Sequence, residues 1–189
     1  RLTQQALDAR THPAWTRLKF DELIAQQLSL KAHRKARAAR RAPVLTGTGA
    51  LTGELLARVP FKLTRAQERV WREISHDLKR TMPMQRLLQG DVGSGKTVVA
   101  FLAMLNAVEA GAQAVLMAPT EILARQHFGT IEPLAAAAGV RVALLTGRDK
   151  GKARAAALDG LAAGDIALAV GTHALFQEEV RFRDLALAV

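Results

Sequence analysis

One glycine-rich segment, residues 90–97, constrains the fold of this chain more than any other stretch. Its sequence, Gly-Asp-Val-Gly-Ser-Gly-Lys-Thr, has the spacing of a phosphate-binding loop: a glycine, four residues, then Gly-Lys-Thr. The apolar pair Leu87-Leu88 precedes this phosphate loop, and an apolar run of helical character, residues 98–105, follows it. We therefore predict a strand, a loop and a helix in succession, the context that this motif requires. The alternative is a glycine turn that contains a lysine by chance.

The residue types in the phosphate loop match the chemistry of a phosphate site. Its glycines allow backbone conformations that a side chain would block, so that N–H groups can converge on phosphate oxygens at the start of a helix. Lys96 supplies a positive charge for the outer phosphates, and the Thr97 hydroxyl can ligate Mg²⁺, which makes these two the candidate catalytic residues. The predicted nucleotide contacts are Gly90, Asp91, Val92, Gly93, Ser94, Gly95, Lys96 and Thr97.

The positive charge of the chain is concentrated near its N-terminus. The net charge is +10 over 189 residues. Residues 1–41 hold ten Lys/Arg and three Asp/Glu, a net +7, which leaves seventeen against fourteen, a net +3, for residues 42–189. A basic appendage on a nearly balanced domain favours a polyanionic partner, and nucleic acid fits best.

Composition also excludes several classes of protein. The chain has no cysteine, which rules out disulfides and thiolate metal sites and is compatible with the cytoplasm. It has no apolar run near the roughly 18 residues that a membrane span needs, so no membrane partner is expected. The N-terminus has neither a signal-peptide pattern nor a starting Met, which suggests a piece of a longer protein.

A basic amphipathic helix is predicted over residues 18–41, after a turn at His12-Pro13. Apolar residues recur at spacings of three and four, which places Phe20, Leu23, Ile24 and Leu28 on one face. The polar side has no acid to offset its cations: Lys31, Arg34, Lys35, Arg37, Arg40 and Arg41. These cations either contact DNA phosphates or form a solvated helix face, and the sequence leaves both interpretations open.

Residues 43–53 have the composition of a linker, and Thr64 is a predicted N-cap for a helix that runs to about Arg80. Gln67 lies in the first turn of that helix. Its side-chain amide offers a donor and an acceptor, as recognition of an adenine edge requires. The residues alone also allow an ordinary surface glutamine.

Beyond the phosphate loop, strands alternate with helices. The pattern predicts strands at residues 113–118, 140–145, 166–170 and 185–189, with helices over 121–138 and 150–162. Such alternation with short connections indicates an α/β fold: a parallel sheet with flanking helices, preceded here by an N-terminal helical linker. The segments that follow the strands then meet at one sheet edge, where ligands bind in such folds.

Together these segments resemble the first motor domain of superfamily-two helicases and translocases. Residues 61–67, Phe-x-Leu-Thr-x-x-Gln, resemble the adenine-reading motif; residues 90–97 resemble motif I, residues 117–124 motif Ia, and residues 145–147 and 170–175 the next strand-end motifs. The resemblance implies a RecA-like P-loop NTPase that uses ATP and Mg²⁺, with Phe61 and Gln67 on the adenine. It also implies a DNA-contacting surface, which we call the strand-end surface: Pro119, Thr120, Glu121, Gly147, Gly171, Thr172 and His173. The charge pattern gives Lys31, Arg34 and Lys35 of the basic helix as further candidate DNA contacts, while His173 can equally be a packed strand-end residue.

Within that superfamily, residues 87–97 and 171–182 are similar to the helicases that remodel stalled replication forks. This resemblance implies an ATP-dependent helicase of DNA repair and recombination, which acts in the cytoplasm on forks and junctions irrespective of sequence. Residues 1–59 then form a basic helical linker after a wedge-type DNA-binding domain, and residues 60–189 form the first motor domain. The expected partners are branched DNA, the wedge and second motor domains of the longer chain and, as a candidate, single-stranded-DNA-binding protein.

One departure from the family pattern bears on activity. The Asp-Glu-x-His motif of the family follows the strand that begins here at Leu185, and the sequence stops at Val189, before that motif. We therefore expect these 189 residues to bind nucleotide without hydrolysing it. Two alternatives remain open: a double-stranded DNA translocase of the transcription–repair coupling type, and an ATP-gated DNA-binding module that never hydrolyses.

Overall fold

A computed structural model of the chain describes residues 13–189, apart from the side chains of residues 37 and 38. The chain separates into two compact units, Arg1–Arg41 and Ala42–Val189. The described part of the first unit contains helix α1, Pro13–Ala38. The turn predicted at His12-Pro13 is wrong for Pro13, which opens the helix, because the first helical position tolerates the missing N–H of proline. His12 and the residues before it lie outside the described range.

The second unit contains a parallel sheet of four strands with helices packed around it. The strands lie in the order β2-β3-β1-β4, and each neighbouring pair is parallel. The strands are β1 (Gln113–Met117), β2 (Val142–Leu145), β3 (Leu168–Gly171) and β4 (Leu185–Ala188). The helices are α2 (Ala50–Arg58), α3 (Arg65–Leu78), α4 (Lys96–Glu109), α5 (Glu121–Ala137) and α6 (Lys152–Ala163), with a 3₁₀ turn at His173–Phe176.

Alternation along the strands divides the core between the two faces of the sheet. On β3, Leu168 and Val170 join the apolar cluster that contains α4, whereas Ala169 joins the smaller cluster beneath Leu161 of α6. Helix α4 is apolar on almost every side and is buried over most of its length, between β1 and the helices α2, α3 and α5. The phosphate loop is therefore anchored by the most deeply buried helix of the unit.

The segment that has the composition of a linker packs into this core. Leu45 is buried, and its carbonyl accepts a hydrogen bond from the Asn106 side chain at 2.8 Å. Helix α2 starts within the same segment, and the carboxylate of Glu109 on α4 accepts from the N–H groups of Gly49 and Thr52 at 2.6 and 3.1 Å. A carboxylate 57 residues away thus stabilises the start of α2, which has no capping side chain of its own.

The strand predicted at Leu87-Leu88 is not present. Residues 83–91 have neither helix nor strand assignment, and Leu87 is 84% exposed while Leu88 packs against the core. In the described part of the chain, the hydrogen-bonded sheet consists of the four strands β1, β2, β3 and β4, without residues 87 and 88. Two apolar residues signal burial, but a strand also needs a partner that bonds its backbone.

Among residues 13–189, no helix combines the length and the apolar character that crossing a membrane requires.

Candidate functional site

The phosphate loop wraps around the start of α4. Gly95 is the N-cap residue with φ of 80°, in the left-handed region that favours glycine. It offers no side chain to the first N–H groups of α4, which leaves these donors and the positive end of the helix dipole available to an anion. A side chain at residue 95 would also collide with the amide nitrogen of Gln67. The local geometry therefore suits a phosphate group.

The side chain of Lys96 folds back over the loop. Its Nζ donates to the carbonyl oxygens of Gly90 and Asp91, both at 2.7 Å. A bound phosphate would offer this ammonium charged oxygens in place of two neutral carbonyls, and charge-assisted bonds are the stronger kind. Thr97 follows in the first turn of α4 and is half-buried. Lysine, threonine and free helix N–H groups together fit a triphosphate with its magnesium ion.

Gln67 joins helix α3 to the phosphate loop. Its Oε1 accepts from the N–H of Thr64 at 2.8 Å, and the Thr64 hydroxyl accepts from the N–H of Gln67 at 3.3 Å, which completes a capping box. The Nε2 group donates to the carbonyl of Ser94 at 2.9 Å. The structure therefore places Gln67 beside the loop, with both ends of its amide engaged.

Phe61 lies in a cleft between α2 and the start of α3. The side chain is 39% exposed, and the cleft has a volume of about 410 Å³. Its lining residues are Leu56, Phe61, Lys62, Leu63, Glu68, Trp71 and Arg72. Gln67 does not line it, so the two residues predicted on the adenine do not share this cleft.

A further tether, which the sequence patterns did not indicate, holds the segment before the loop. Arg86 donates to Asp77 at 2.6 and 3.2 Å and to Glu73 at 2.8 Å, both on α3. The hydrogen bond with Asp77 raises the pKa of Arg86 above its ordinary value. Together with the bond between Gln67 and Ser94, this fixes the loop to α3 on both sides.

The strand-end surface contains both exposed and buried members. Pro119, Gly147 and His173 are exposed, and the exposed Thr120 caps α5 by accepting from the N–H of Leu123 at 3.3 Å. Gly171 and Thr172 are buried, and a side chain at residue 171 would collide with the carbonyl of Leu145. The parallel sheet brings the ends of β1, β2 and β3 to one edge, and the exposed positions there suit contact with a ligand.

Glu121, the seventh member of this surface, is engaged in an ionic network. Its Oε1 accepts from Arg125 at 2.9 Å, and its Oε2 pairs with Arg148 at 3.3 Å. Thr146, which follows β2, donates its hydroxyl to Glu121 at 3.4 Å and to Asp149 at 2.7 Å. The spacing of Glu121 and Arg125 indicates such a pair from sequence, whereas the contacts of residues 146–149 depend on the fold.

The pKa of Asp149 is lowered. Partial burial of the carboxyl opposes ionisation, but hydrogen bonds from the hydroxyl and N–H of Thr146, together with the charge of Arg125, outweigh it and bring the pKa below its ordinary value. For Arg125, the hydrogen bond with Glu121 raises the pKa. Both effects favour the charged forms of Asp149 and Arg125.

A second arginine, Arg154 on α6, ties the end of β2 to the segment after β3. Its guanidinium donates to the carbonyl of Thr146 at 3.4 Å, to the Gln177 side chain at 2.7 Å and to Glu179. The side chain is 13% exposed, so its role is internal support.

In the first unit, Lys31, Arg34 and Lys35 of α1 are all exposed, which suits either interpretation of the basic helix.

Residues 64–189 match the family model of the DEAD/DEAH box helicases, and the chain belongs to this family. The prediction of a RecA-like P-loop fold with a parallel sheet is thereby confirmed. Within the family the chain is similar to the ATP-dependent DNA helicase RecG. It is 49% identical to RecG of Escherichia coli O127:H6 over 97% of this chain and 26% of the relative, and 46% identical to that of Haemophilus influenzae over 100% and 27%.

A solved structure described as RecG bound to a three-way DNA junction shares this fold. It matches with a TM-score of 0.84 and 43% sequence identity, over 92% of this chain and 24% of that one. The chain thus spans about a quarter of the length of the curated relatives that it matches. The resemblance predicted from residues 87–97 and 171–182 is thereby confirmed as a similarity to RecG.

Proposed function

We propose that this chain forms the ATP-binding part of the first motor domain of a RecG-type helicase that remodels forks and junctions. The observation that carries this proposal is the start of α4, where an uncapped helix end lies beside Lys96 and Thr97. Helix α4 packs against β1 and leads into it through a short connection, so the start of the helix lies toward the edge where β1 ends, which bears the strand-end surface. An ATP site and a DNA-facing edge on one sheet are what a DNA motor requires. The proposal places the protein in the cytoplasm, with its DNA.

In this mechanism the loop binds and orients the triphosphate. The N–H groups at the start of α4 and the ammonium of Lys96 hold the β- and γ-phosphates, and the Thr97 hydroxyl ligates Mg²⁺. When bound, Mg²⁺ neutralises charge that develops on the transferred phosphoryl group. Gln67 orients the adenine, for which it must exchange its present partners, Thr64 and Ser94. Closure against a second motor domain then couples hydrolysis to movement along DNA.

The first test is nucleotide binding, with Lys96→Ala as the variant. Loss of charge-assisted bonds worth about 1.5–3 kcal/mol predicts Mg-ATP affinity weaker by roughly tenfold or more. A fluorescent ATP analogue measures it, with and without Mg²⁺. Lys79→Ala is the matched control, because Lys79 caps the far end of α3, about 20 Å along the helix from Gln67. Equal affinities for wild type and Lys96→Ala would contradict the proposed site.

The second test addresses the substrate. The protein in its full natural length should unwind a three-way junction in an ATP-dependent reaction and should prefer it to linear duplex. ATP-driven movement on linear duplex without a preference for junctions would favour a translocase instead. Single-stranded-DNA-binding protein, the remaining proposed partner, can be tested by adding it to the same reaction.

A further inference from the structure

The carboxylate of Glu121 is poorly placed to contact DNA itself. Both oxygens are already paired, Oε1 with Arg125 and Oε2 with Arg148. A carboxylate also repels a phosphodiester, whereas a guanidinium can bind one through two parallel hydrogen bonds. The groups at this position that suit a polyanion are therefore the two arginines that Glu121 holds.

The two arginines are also more exposed to solvent than the glutamate that holds them. The Glu121 side chain is 24% exposed, that of Arg125 is 50% exposed and that of Arg148 is 85% exposed. Among the residues that the structure describes, the guanidinium of Arg148 pairs only with Glu121, through Nε. Its terminal nitrogens therefore face solvent and retain their donors.

The two arginines belong to segments that follow different strands. Arg125 lies one helical turn into α5, which follows β1, and Arg148 comes directly after Gly147 at the end of β2. Strand β3 lies between β1 and β2 in the sheet. Both side chains pair with Glu121, a member of the strand-end surface, and so lie beside that surface. Residues 147–152 add the exposed cations Lys150 and Lys152 against the single acid Asp149, a net charge of +2 when Arg148 is counted.

We propose that Arg125 and Arg148 form a phosphate-contacting pair on the strand-end surface, and that Glu121 is the positioning residue that holds them. This inference rests on the proposed function, because it names the groups by which the same surface binds the DNA backbone. Glu121 keeps the guanidiniums close together and outward, and a phosphate takes up the donors that Glu121 leaves free. Such contacts are independent of base sequence.

The test is equilibrium binding of a labelled three-way junction over a salt series. Each phosphate contact contributes about 0.9 to the slope of log affinity against log salt. Arg148→Ala should make the slope shallower by about 0.9 and weaken binding roughly fivefold to tenfold near 0.1 M salt. Arg148→Lys should restore most of the affinity. The matched control is Arg58→Ala. Like Arg148, Arg58 is an exposed arginine that pairs with a glutamate, here Glu54 at i,i+4 spacing. It bonds the carbonyl of Ala137 and so lies at the opposite end of α5.

Glu121→Gln distinguishes a carboxylate that positions the arginines from one that only repels DNA, because the two roles predict opposite changes in DNA affinity. A positioning role predicts weaker binding although a negative charge is lost, and little further loss when Arg148→Ala is added. Tighter binding by Glu121→Gln would overturn the positioning role. An unchanged salt slope for Arg148→Ala, beside a wild-type chain that binds DNA, would overturn this inference alone. A wild-type chain that does not bind DNA would overturn the proposed function with it.

Discussion

The carboxylate of Asp149 closes a turn on Thr146, the residue that follows β2. One oxygen accepts from both the N–H and the hydroxyl of Thr146, at 2.6 and 2.7 Å, and the other lies 3.5 Å from Arg125. Thr146 is completely buried, so these bonds satisfy polar groups that water cannot reach. Asp149 thereby fixes the loop that carries Gly147 and Arg148.

Because these bonds lower the pKa of Asp149, its contribution to stability depends on pH. A carboxyl with a depressed folded-state pKa stabilises the fold above its unfolded value of about 3.9, and this contribution is lost as pH falls through the folded-state pKa. Asp149→Asn should therefore reduce the free energy of unfolding by about 1 kcal/mol at pH 7 and by progressively less below about pH 4. Urea unfolding across this range measures the difference.

Glu54→Gln is the control for Asp149→Asn. Glu54 pairs with Arg58 at 3.7 Å, and both side chains are more than half exposed, so the change should cost less than about 0.5 kcal/mol. A deficit for Asp149→Asn that persists unchanged at the acidic end of the range would show that geometry, and not the ionised carboxylate, supplies the stability.

At the scale of elements, α3 and the phosphate loop act as one assembly. The cap of α3 and the loop carbonyl of Ser94 share a single side chain, Gln67, while Arg86 bonds the other end of α3 to the segment before the loop. Any shift of α3 is therefore transmitted to the loop. Gln67 thus couples the cap of α3 to the phosphate loop.

This coupling predicts different outcomes for two substitutions in the capping box. Both Thr64→Ala and Gln67→Ala remove half of the box and should each cost about 1 kcal/mol of stability. Only Gln67→Ala removes the bond to Ser94 and the amide proposed to orient the adenine, so only this variant should bind ATP several-fold more weakly. Calorimetry with ATP and GTP measures the affinities. Equal loss of ATP affinity in both variants would reduce the role of Gln67 to capping.

Local patterns predicted the elements whose stabilising contacts lie close in sequence. The cap at Thr64 and the four strands follow from residues within a few positions of one another, and all were found with boundaries shifted by at most a few residues. Contacts between distant segments were not predictable. The capping of α2 by Glu109 and the bonds of Arg154 to residues 23 and 25 positions away depend on how the elements pack.

The same distinction explains the errors. Leu87-Leu88 has the apolar character of a strand, but no pattern within those residues shows whether a neighbouring strand pairs with them. Residues 43–53 have the glycine and threonine content of a linker, yet Leu45 is buried in the core, where Asn106, 61 positions away, bonds its carbonyl. For Gln67 the resemblance predicted a contact with adenine, whereas its bond to Ser94 depends on the fold.

At the scale of the whole molecule, charge is divided unequally between the two compact units. Residues 1–41 have a net charge of +7 and residues 42–189 a net charge of +3. The exposed cations Lys31, Arg34 and Lys35 recur at helical spacing on α1 and so share one face of it. If this face contacts DNA, much of the salt dependence of DNA binding originates outside the unit that contains the phosphate loop.

The triple variant Lys31→Ala, Arg34→Ala, Lys35→Ala tests this division. Loss of three phosphate contacts should make the salt slope of duplex binding shallower by about 2.7, with affinity for Mg-ATP unchanged. Alanine favours helix, so circular dichroism should show no loss of helix. An unchanged salt slope would identify the basic face as an ordinary solvated surface.

The strand order also sets the length of the edge that is proposed to contact DNA. Strands β2, β3 and β1 are consecutive neighbours, and adjacent strands lie about 4.8 Å apart, so their ends span about 10 Å. One strand of duplex DNA advances about 3.4 Å per nucleotide. A DNA strand bound along this edge, as proposed, would therefore contact it over about three nucleotides. A motor built on it would hold a backbone track only a few nucleotides long at any instant.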